Sequence, residues 1–136
     1  MADIEGGCLC GAVRYRLSEA PYNSGVCHCT TCRKAGSAPS LPYAGVTLSA
    51  FEVTKGKPAT YRSSARVVRS FCGRCGSPLA YFLEDKPDKI DVMTCSLDDP
   101  QDFPPTEHVW TSEKLSWEVV ADGLPAYATG EREEQI

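Results

Sequence analysis

The fold of this chain is decided by three short cysteine motifs: Cys8-Leu9-Cys10, Cys27-His28-Cys29-Thr30-Thr31-Cys32 and Cys72-Gly73-Arg74-Cys75. Together they hold seven of the eight cysteines, in groups of two, three and two. A structural zinc site takes four protein ligands, whereas a catalytic site keeps about three and leaves one position open. Seven thiols therefore divide into four and three, which predicts two zinc ions per chain, one in a closed site and one in an open site. The open site favours an enzyme over a zinc module that has only a structural role.

The motif Cys72-Gly73-Arg74-Cys75, followed by Gly76, is the strongest local signal for metal binding. Two residues between the cysteines allow both sulfurs to face one tetrahedral ion, and Gly76 allows the backbone to turn back. A redox-active pair with this spacing is typical of a βαβ context, whereas the residues on both sides here have strand patterns. We therefore interpret the motif as a zinc-binding turn between two strands.

Cys8 and Cys10 are closer in sequence than most pairs of zinc ligands. An extended backbone that turns at Gly11 still brings both sulfurs to one ion, whereas a disulfide across so small a ring would be strained. Two buried core cysteines are the alternative interpretation. Spacing alone leaves the pairing open, because Cys72 and Cys75 can share an ion with this pair or with two of the central three. The first pairing uses every cysteine of the motifs without a remainder.

The central motif, residues 27–32, supplies three thiols that can occupy one face of a tetrahedron. The possible fourth ligands are an external water or thiol, His28, Cys95 and His108. His28 stands between two candidate ligands, so we expect its side chain to point away from the metal and either to support the ligands or to face the substrate. We expect His108 to be a partly buried, hydrogen-bonded histidine and Cys95 to be a small buried apolar side chain.

Composition indicates a globular protein with a modest core. The chain has 136 residues, 42% of them hydrophobic and 24% charged, which predicts one domain over residues 1–136. A formal charge of −4 argues against broad nucleic-acid binding, which needs a basic surface. The sequence contains no apolar run long enough to span a membrane and no secretory signal at its start. We therefore expect a cytoplasmic protein in which clustered cysteines bind metal instead of forming disulfides.

Local patterns predict a mainly β fold with little helix. Apolar and polar residues alternate along residues 13–18, which is typical of a half-buried strand. One short helix is predicted after Cys29, with Thr30 as its N-cap. The polar residues 130–136 are expected to be frayed. Strands are predicted at residues 13–18, 43–54, 66–71, 79–83, 90–94, 108–110 and 116–120.

The three motifs with their neighbours resemble a known family. The segments are Gly7-Cys8-Leu9-Cys10-Gly11-Ala12-Val13-Arg14-Tyr15, then residues 27–34, then Phe71-Cys72-Gly73-Arg74-Cys75-Gly76-Ser77. They resemble the glutathione-dependent formaldehyde-activating enzyme family, as do the later segments 96–100 and 117–125. The resemblance covers roughly residues 5–127. One branch of this family resembles centromere protein V.

The resemblance implies a tent-like, multi-sheet β fold around zinc. It implies that Cys8, Cys10, Cys72 and Cys75 hold a structural zinc ion, and that Cys27, Cys29 and Cys32 hold a catalytic zinc ion with an open position. It also implies synthesis of S-(hydroxymethyl)glutathione from glutathione and formaldehyde, formally a carbon–sulfur lyase reaction in reverse.

Alternative functions are compatible with the same residues. One is a non-catalytic zinc module that binds a protein partner, with the three-cysteine site closed by Cys95 or a histidine. Another is the same chemistry on a different small thiol or aldehyde. Arg33 and Lys34 directly follow the last ligand of the central motif, so they are candidates for attracting the carboxylates of glutathione. The chain is shorter than we expect for a family member that handles glutathione. Some of the substrate-binding elements of such members are therefore expected to be missing.

Overall fold

The computed structural model describes residues 3–130 and confirms the mainly β class. Of the residues predicted to be frayed, 131–136 lie outside this range. None of the described helices has the length or the apolar character needed to cross a membrane. The strands are β1 (Ile4–Gly7), β2 (Arg14–Leu17), β3 (Asn23–Cys27), β4 (Leu41–Thr47), β5 (Phe51–Lys55), β6 (Ala59–Arg62), β7 (Val67–Phe71), β8 (Pro78–Leu83), β9 (Lys89–Met93) and β10 (His108–Val109), and the α-helix is α1 (Thr30–Gly36). Short 3₁₀ turns cover Leu48–Ala50, Thr94–Ser96, Pro100–Asp102 and Thr111–Glu113.

The strands form two sheets. The smaller sheet has the order β1-β2-β5, and the larger has the order β10-β3-β4-β9-β8-β7-β6. Neighbouring strands are antiparallel except for β10, which pairs in parallel with β3. This single parallel pair places Val109 opposite Cys27, so a late segment of the chain lies beside the start of the central motif.

The main core lies where the two sheets face each other. In β2, Tyr15 and Leu17 are fully buried, whereas Arg14 and Arg16, which alternate with them, are only half-buried, as the alternation predicts. Val46 and Val92 on the central strands of the larger sheet join the same cluster. The cluster also contains Cys8 and Cys72, so two of the predicted zinc ligands are part of the core.

The prediction of one continuous strand over residues 43–54 is wrong. The 3₁₀ turn Leu48–Ala50 breaks it, so that β4 belongs to the larger sheet and β5 to the smaller one. β-branched and aromatic composition predicts extended backbone on both sides of the turn and carries no information about which sheet each half joins.

The strand predicted at residues 116–120 is also wrong, because this segment is an irregular loop. Trp117 and Val119 are exposed, and the backbone is held by a turn in which the N–H of Glu118 donates to the carbonyl of Leu115. The Lys114 ammonium also donates to the Glu118 carbonyl at 2.6 Å. Local hydrogen bonds therefore replace a sheet ladder.

Gly6 offers a test of the packing between β1 and the core. A Cβ at this position would lie 2.6 Å from the Tyr15 ring and 2.7 Å from the Ser96 carbonyl oxygen. Tyr15 cannot give way, because it is 1% exposed and its hydroxyl bonds the Ser96 hydroxyl at 2.6 Å. We expect Gly6→Ala to lower the free energy of unfolding by about 1–3 kcal/mol, measured by denaturant titration.

The matched control for Gly6→Ala is Gly73→Ala. Its new methyl group would meet the Ala59 Cβ at an ordinary 3.5 Å. A change of the same size in both variants would show that close packing at Gly6 does not limit stability.

Candidate metal centres and their cavity

The structure brings Cys8, Cys10, Cys72 and Cys75 together in what we call the four-cysteine cluster. The first pair lies in the turn between β1 and β2, and the second in the turn between β7 and β8. The four sulfurs lie within 4.8 Å of one another. The Cys8–Cys10 and Cys10–Cys72 sulfur separations are 3.7 and 3.8 Å. Four sulfurs at the Zn–S distance of about 2.3 Å on a tetrahedron are about 3.8 Å apart, so this donor set fits zinc.

Hydrogen-bond donors around the four-cysteine cluster favour thiolates. The backbone N–H of Val13 points at the Cys8 sulfur at 3.2 Å, and those of Arg74 and Cys75 point at the Cys72 sulfur at 3.3 and 3.4 Å. The turn after Cys75 uses Gly76 in the left-handed region, with φ of 82°.

Ser77 completes this cluster and links its two turns. Its hydroxyl lies 3.3 Å from the Cys75 sulfur and accepts the Leu9 N–H at 3.0 Å. The Ser77 hydroxyl and N–H lower the pKa of the Cys75 thiol to about 5. The Ser77 contacts therefore stabilise the thiolate of Cys75, the form that binds zinc.

Cys27, Cys29 and Cys32 form the three-cysteine cluster, with all three sulfurs within 4.8 Å of one another. Cys27 ends β3, and Cys32 lies in α1. The predicted helix is present, but its N-cap is Cys29, whose sulfur accepts the Cys32 N–H at 3.3 Å, and Thr30 is its first residue. The Cys29 thiol thus takes the capping role expected of the Thr30 hydroxyl, and the helix start fixes two of the three sulfurs.

Two further groups contact the three-cysteine cluster. The Thr31 hydroxyl lies 3.2 Å from the Cys29 sulfur, and the Arg69 guanidinium donates to the Cys32 sulfur at 3.5 Å. Hydrogen bonds from the Cys27 and Cys32 thiols lower the pKa of Cys29, and the Thr31 hydroxyl adds to the effect. This donor set also fits a thiophilic ion such as zinc.

The predicted fourth ligands within the chain lie elsewhere. In the described part of the chain, no histidine, carboxylate or further cysteine joins the three sulfurs. Cys95 is exposed in the turn Thr94–Ser96, so the expectation that it is buried was wrong. The predictions for the histidines are confirmed, because His28 points away from the sulfurs into a hydrogen bond with the buried His108.

A hydrogen-bonded chain supports the three-cysteine cluster from behind. His28 Nε2 lies 2.9 Å from His108 Nδ1, and His108 Nε2 lies 2.8 Å from the Asp122 carboxylate. Because the carboxylate accepts from His108, His108 accepts in turn from His28. Burial lowers the pKa of His28, and the hydrogen bond from His108 lowers the pKa of Asp122.

The hydrogen bonds of His28, His108 and Asp122 connect the central motif to two segments that are distant in the sequence. His28 is 0% exposed, and its backbone N–H donates to the Val109 carbonyl at 3.1 Å. The role of Asp122 is missed by sequence reasoning, since it depends on the pairing of β10 with β3, which places His108 beside the central motif, and on the hydrogen bond of His108 with Asp122.

The three sulfurs line a cavity of about 130 Å³. Its walls carry aromatic and apolar side chains together with the carboxylates of Asp91 and Glu107. The Tyr43 hydroxyl donates to Glu107 at 3.4 Å. Burial and the charge of Glu107 raise the pKa of Tyr43, which therefore keeps its proton at neutral pH. The cavity thus combines three thiols, the phenols of Tyr43 and Tyr81, two acidic residues and the basic residue Lys89.

The basic residues of the helix do not line this cavity. Arg33 instead donates to the His28 carbonyl at 3.3 Å and to the Thr30 hydroxyl at 3.2 Å. These hydrogen bonds stabilise the segment that carries Cys27, Cys29 and Cys32. The structure therefore does not support a substrate-binding role for Arg33, and Lys34 is likewise absent from the cavity wall.

Comparisons with known proteins agree with this architecture. The family model described as "Glutathione-dependent formaldehyde-activating enzyme" matches residues 3–113. A Halomonas elongata protein, provisionally named a glutathione-dependent formaldehyde-activating enzyme, is 32% identical over 127 residues, covering 84% of this chain and 78% of that protein. An uncharacterized lyase of Schizosaccharomyces pombe is 35% identical over 83 residues, covering 60% of this chain and 58% of that protein.

A crystal structure of a Rhodobacter sphaeroides protein has the same fold. It superposes with a TM-score of 0.58 at 21% identity, covering 90% of this chain and 98% of that one. The match over residues 3–113 includes both cysteine clusters, so the residues that build the candidate sites lie within the family's own region. The chain belongs to the glutathione-dependent formaldehyde-activating enzyme family.

Proposed function

We propose that the protein is a zinc-dependent enzyme of the carbon–sulfur lyase type, acting on the adduct of formaldehyde with glutathione or another small thiol. In this proposal the four-cysteine cluster holds a structural zinc ion. The three-cysteine cluster holds a second ion, at which the thiol is activated. Family membership and the names of the relatives support the reaction class.

One observation carries the proposal: the two clusters differ in ligand number and in surroundings. The four-cysteine cluster has a full tetrahedral set and lies against the main core. The three-cysteine cluster has one ligand fewer within residues 3–130 and lines a cavity. Structural zinc sites are closed, and catalytic sites keep a position for substrate.

The proposed reaction joins the thiol sulfur to the carbon of formaldehyde. The thiol loses its proton, and the former carbonyl oxygen of formaldehyde gains one to become the new hydroxyl group. The reverse direction releases thiol and aldehyde. Zinc, when bound, supplies positive charge that favours the thiolate form of the substrate. Leu41 and Val109 line the cavity as apolar walls that limit water, while Tyr43 and Glu107 place polar groups beside the reacting atoms.

Thiol coordination is tested with cobalt(II) in place of zinc, because thiolate-to-cobalt absorption reports the ligand set. We expect added 2-mercaptoethanol or glutathione to change the spectrum of the wild-type protein with a saturable dependence on concentration. A Cys32→Ser variant should show no such change. An unchanged wild-type spectrum at saturating thiol would contradict an open site and favour a closed zinc module.

A further inference from the structure

A cavity of about 240 Å³ lies between the two sheets, and we call it the inter-sheet cavity. The smaller sheet forms one wall, and strands β6, β7 and β8 of the larger sheet form the other. The residues that carry the argument line these walls: Tyr15, Phe51, Val53, Thr60, Ser70 and Ala80.

The inter-sheet cavity is separate from the three-cysteine cluster. In β8, Ala80 lines the inter-sheet cavity, whereas the next residue, Tyr81, lines the cavity that holds the three sulfurs. In β7, Ser70 lines the inter-sheet cavity, whereas Arg69 donates to the Cys32 sulfur at 3.5 Å. Because successive residues of a strand point to opposite faces, the two cavities lie on opposite faces of the larger sheet.

Small side chains account for the space. Thr60 pairs with Ser70 across β6 and β7, and Ser70 pairs with Ala80 across β7 and β8, so the three form one row on the larger sheet. Protein interiors are normally packed so closely that few voids exceed the size of a water molecule. Larger apolar side chains in this row would fill the space, whereas the residues present leave it open.

The wall from the smaller sheet is apolar. The rings of Tyr15 and Phe51 pack with their centroids 5.3 Å apart, and Val53 pairs with Tyr15 across β2 and β5. Within residues 3–130, none of the buried polar atoms that lack a hydrogen-bond partner belongs to a residue that lines this cavity. An engineered apolar cavity of about 150 Å³ stays free of water and binds benzene. The inter-sheet cavity therefore suits an apolar group.

One cationic side chain lies at the mouth of the inter-sheet cavity. The cavity reaches the surface at the exposed residues Lys57 and Thr60, between β5 and β6, which are edge strands of the two sheets. Lys57 is the one charged residue of its lining within the described part of the chain. No carboxylate of residues 3–130 forms an ion pair with it. An apolar interior with a single unpaired ammonium at its mouth matches a ligand that has an apolar chain and one anionic end.

We propose that the inter-sheet cavity binds a straight-chain alkyl carboxylate, with the chain between the sheets and the carboxylate beside the Lys57 ammonium. This binding site is independent of the proposed reaction, because a ligand there does not enter the cavity of the three-cysteine cluster. The inference therefore stands or falls without reference to the rate of adduct formation.

The test is an NMR titration of the ¹⁵N-labelled, zinc-loaded full chain with hexanoate and octanoate, below the concentrations at which they form micelles. We expect saturable shifts of the Val53, Thr60 and Ser70 amides. Octanoate should bind at least about fivefold more tightly than hexanoate, because each buried methylene group strengthens binding by about fourfold. Lys57→Gln should weaken octanoate binding by about threefold to fivefold, as expected for an exposed ion pair, and leave 1-octanol binding unchanged. Lys55→Gln, a matched control outside the cavity lining, should leave the binding of both ligands unchanged.

A cavity-filling variant, Ser70→Leu, should abolish octanoate binding, with zinc content and unfolding temperature reporting whether it folds. The wild-type titrations do not depend on any variant. Equal affinity for hexanoate and octanoate would overturn the inference, as would shifts confined to the amides of residues 27–32. A dimer in solution that buries the Val53 and Thr60 amides and does not respond to octanoate would also overturn it, because a second copy would then cover the cavity.

Discussion

Replacing Cys72 by serine is expected to abolish cooperative folding of the protein at room temperature. Cys72 is 1% exposed, accepts two backbone N–H groups and belongs to both the core and the four-cysteine cluster. Structural zinc contributes about 10–16 kcal/mol of apparent binding free energy in zinc-finger peptides. That range matches or exceeds the whole net stability of a typical domain, about 5–15 kcal/mol.

The Cys72→Ser experiment measures thermal unfolding by circular dichroism together with zinc content. Cys95→Ser is the matched control, since Cys95 is exposed and lies outside both clusters. We expect the control to change the free energy of unfolding by no more than about 0.5 kcal/mol. A Cys72→Ser protein that unfolds cooperatively near the wild-type temperature would show that the four-cysteine cluster does not hold the sheets together.

Replacing Cys32 by serine is expected to remove activity while leaving the fold intact. Cys32 lies in α1, away from the main core. It packs with Cys27 and Val109 in a second, smaller hydrophobic cluster. Stabilisation of charge by a metal ion is worth several kcal/mol. The rate of S-(hydroxymethyl)glutathione formation above the uncatalysed background should therefore fall by about 100-fold or more.

Exchange spectroscopy of formaldehyde and glutathione by NMR measures the rate for Cys32→Ser, and elemental analysis measures its zinc. Zinc should fall by about one ion per chain, and the unfolding temperature should change little. The Cys95→Ser control should retain both activity and zinc. If Cys32→Ser formed the adduct at the wild-type rate, the three-cysteine cluster would not be the reaction centre.

The sequence allowed β2, β7 and β8, which adjoin the cysteine motifs, to be predicted because each has a strong local pattern, whereas β1 and β3 were missed. Tyr15 and Leu17 alternate with arginines, and the segments on both sides of Cys72 and Cys75 are apolar and β-branched. The predictions failed where partners at a distance decide the structure. The break at Leu48–Ala50 is set by the separation of two sheets, and the exposed loop around Trp117 lacks a neighbouring strand.

Counting the cysteines predicted groups of four and three, and the resemblance to the family implied which motifs share a group, whereas the surroundings of the cysteines were not accessible from the sequence. Seven thiols divide into four and three with no remainder, and the structure forms those same groups. Arg69 and Asp122 carry no local signal, since Arg69 reaches Cys32 37 residues away in the sequence and Asp122 reaches His108 14 residues away. The parallel contact of β10 with β3 spans two residues, too few to predict from periodicity.

The division of the cysteines into a closed and an open zinc site can be tested by counting zinc ions per chain. Elemental analysis would be made of wild-type, Cys32→Ser and Cys95→Ser protein purified without chelator or added metal. We expect about two ions in the wild type and in Cys95→Ser, and about one in Cys32→Ser. Equal zinc in the wild type and Cys32→Ser would contradict it.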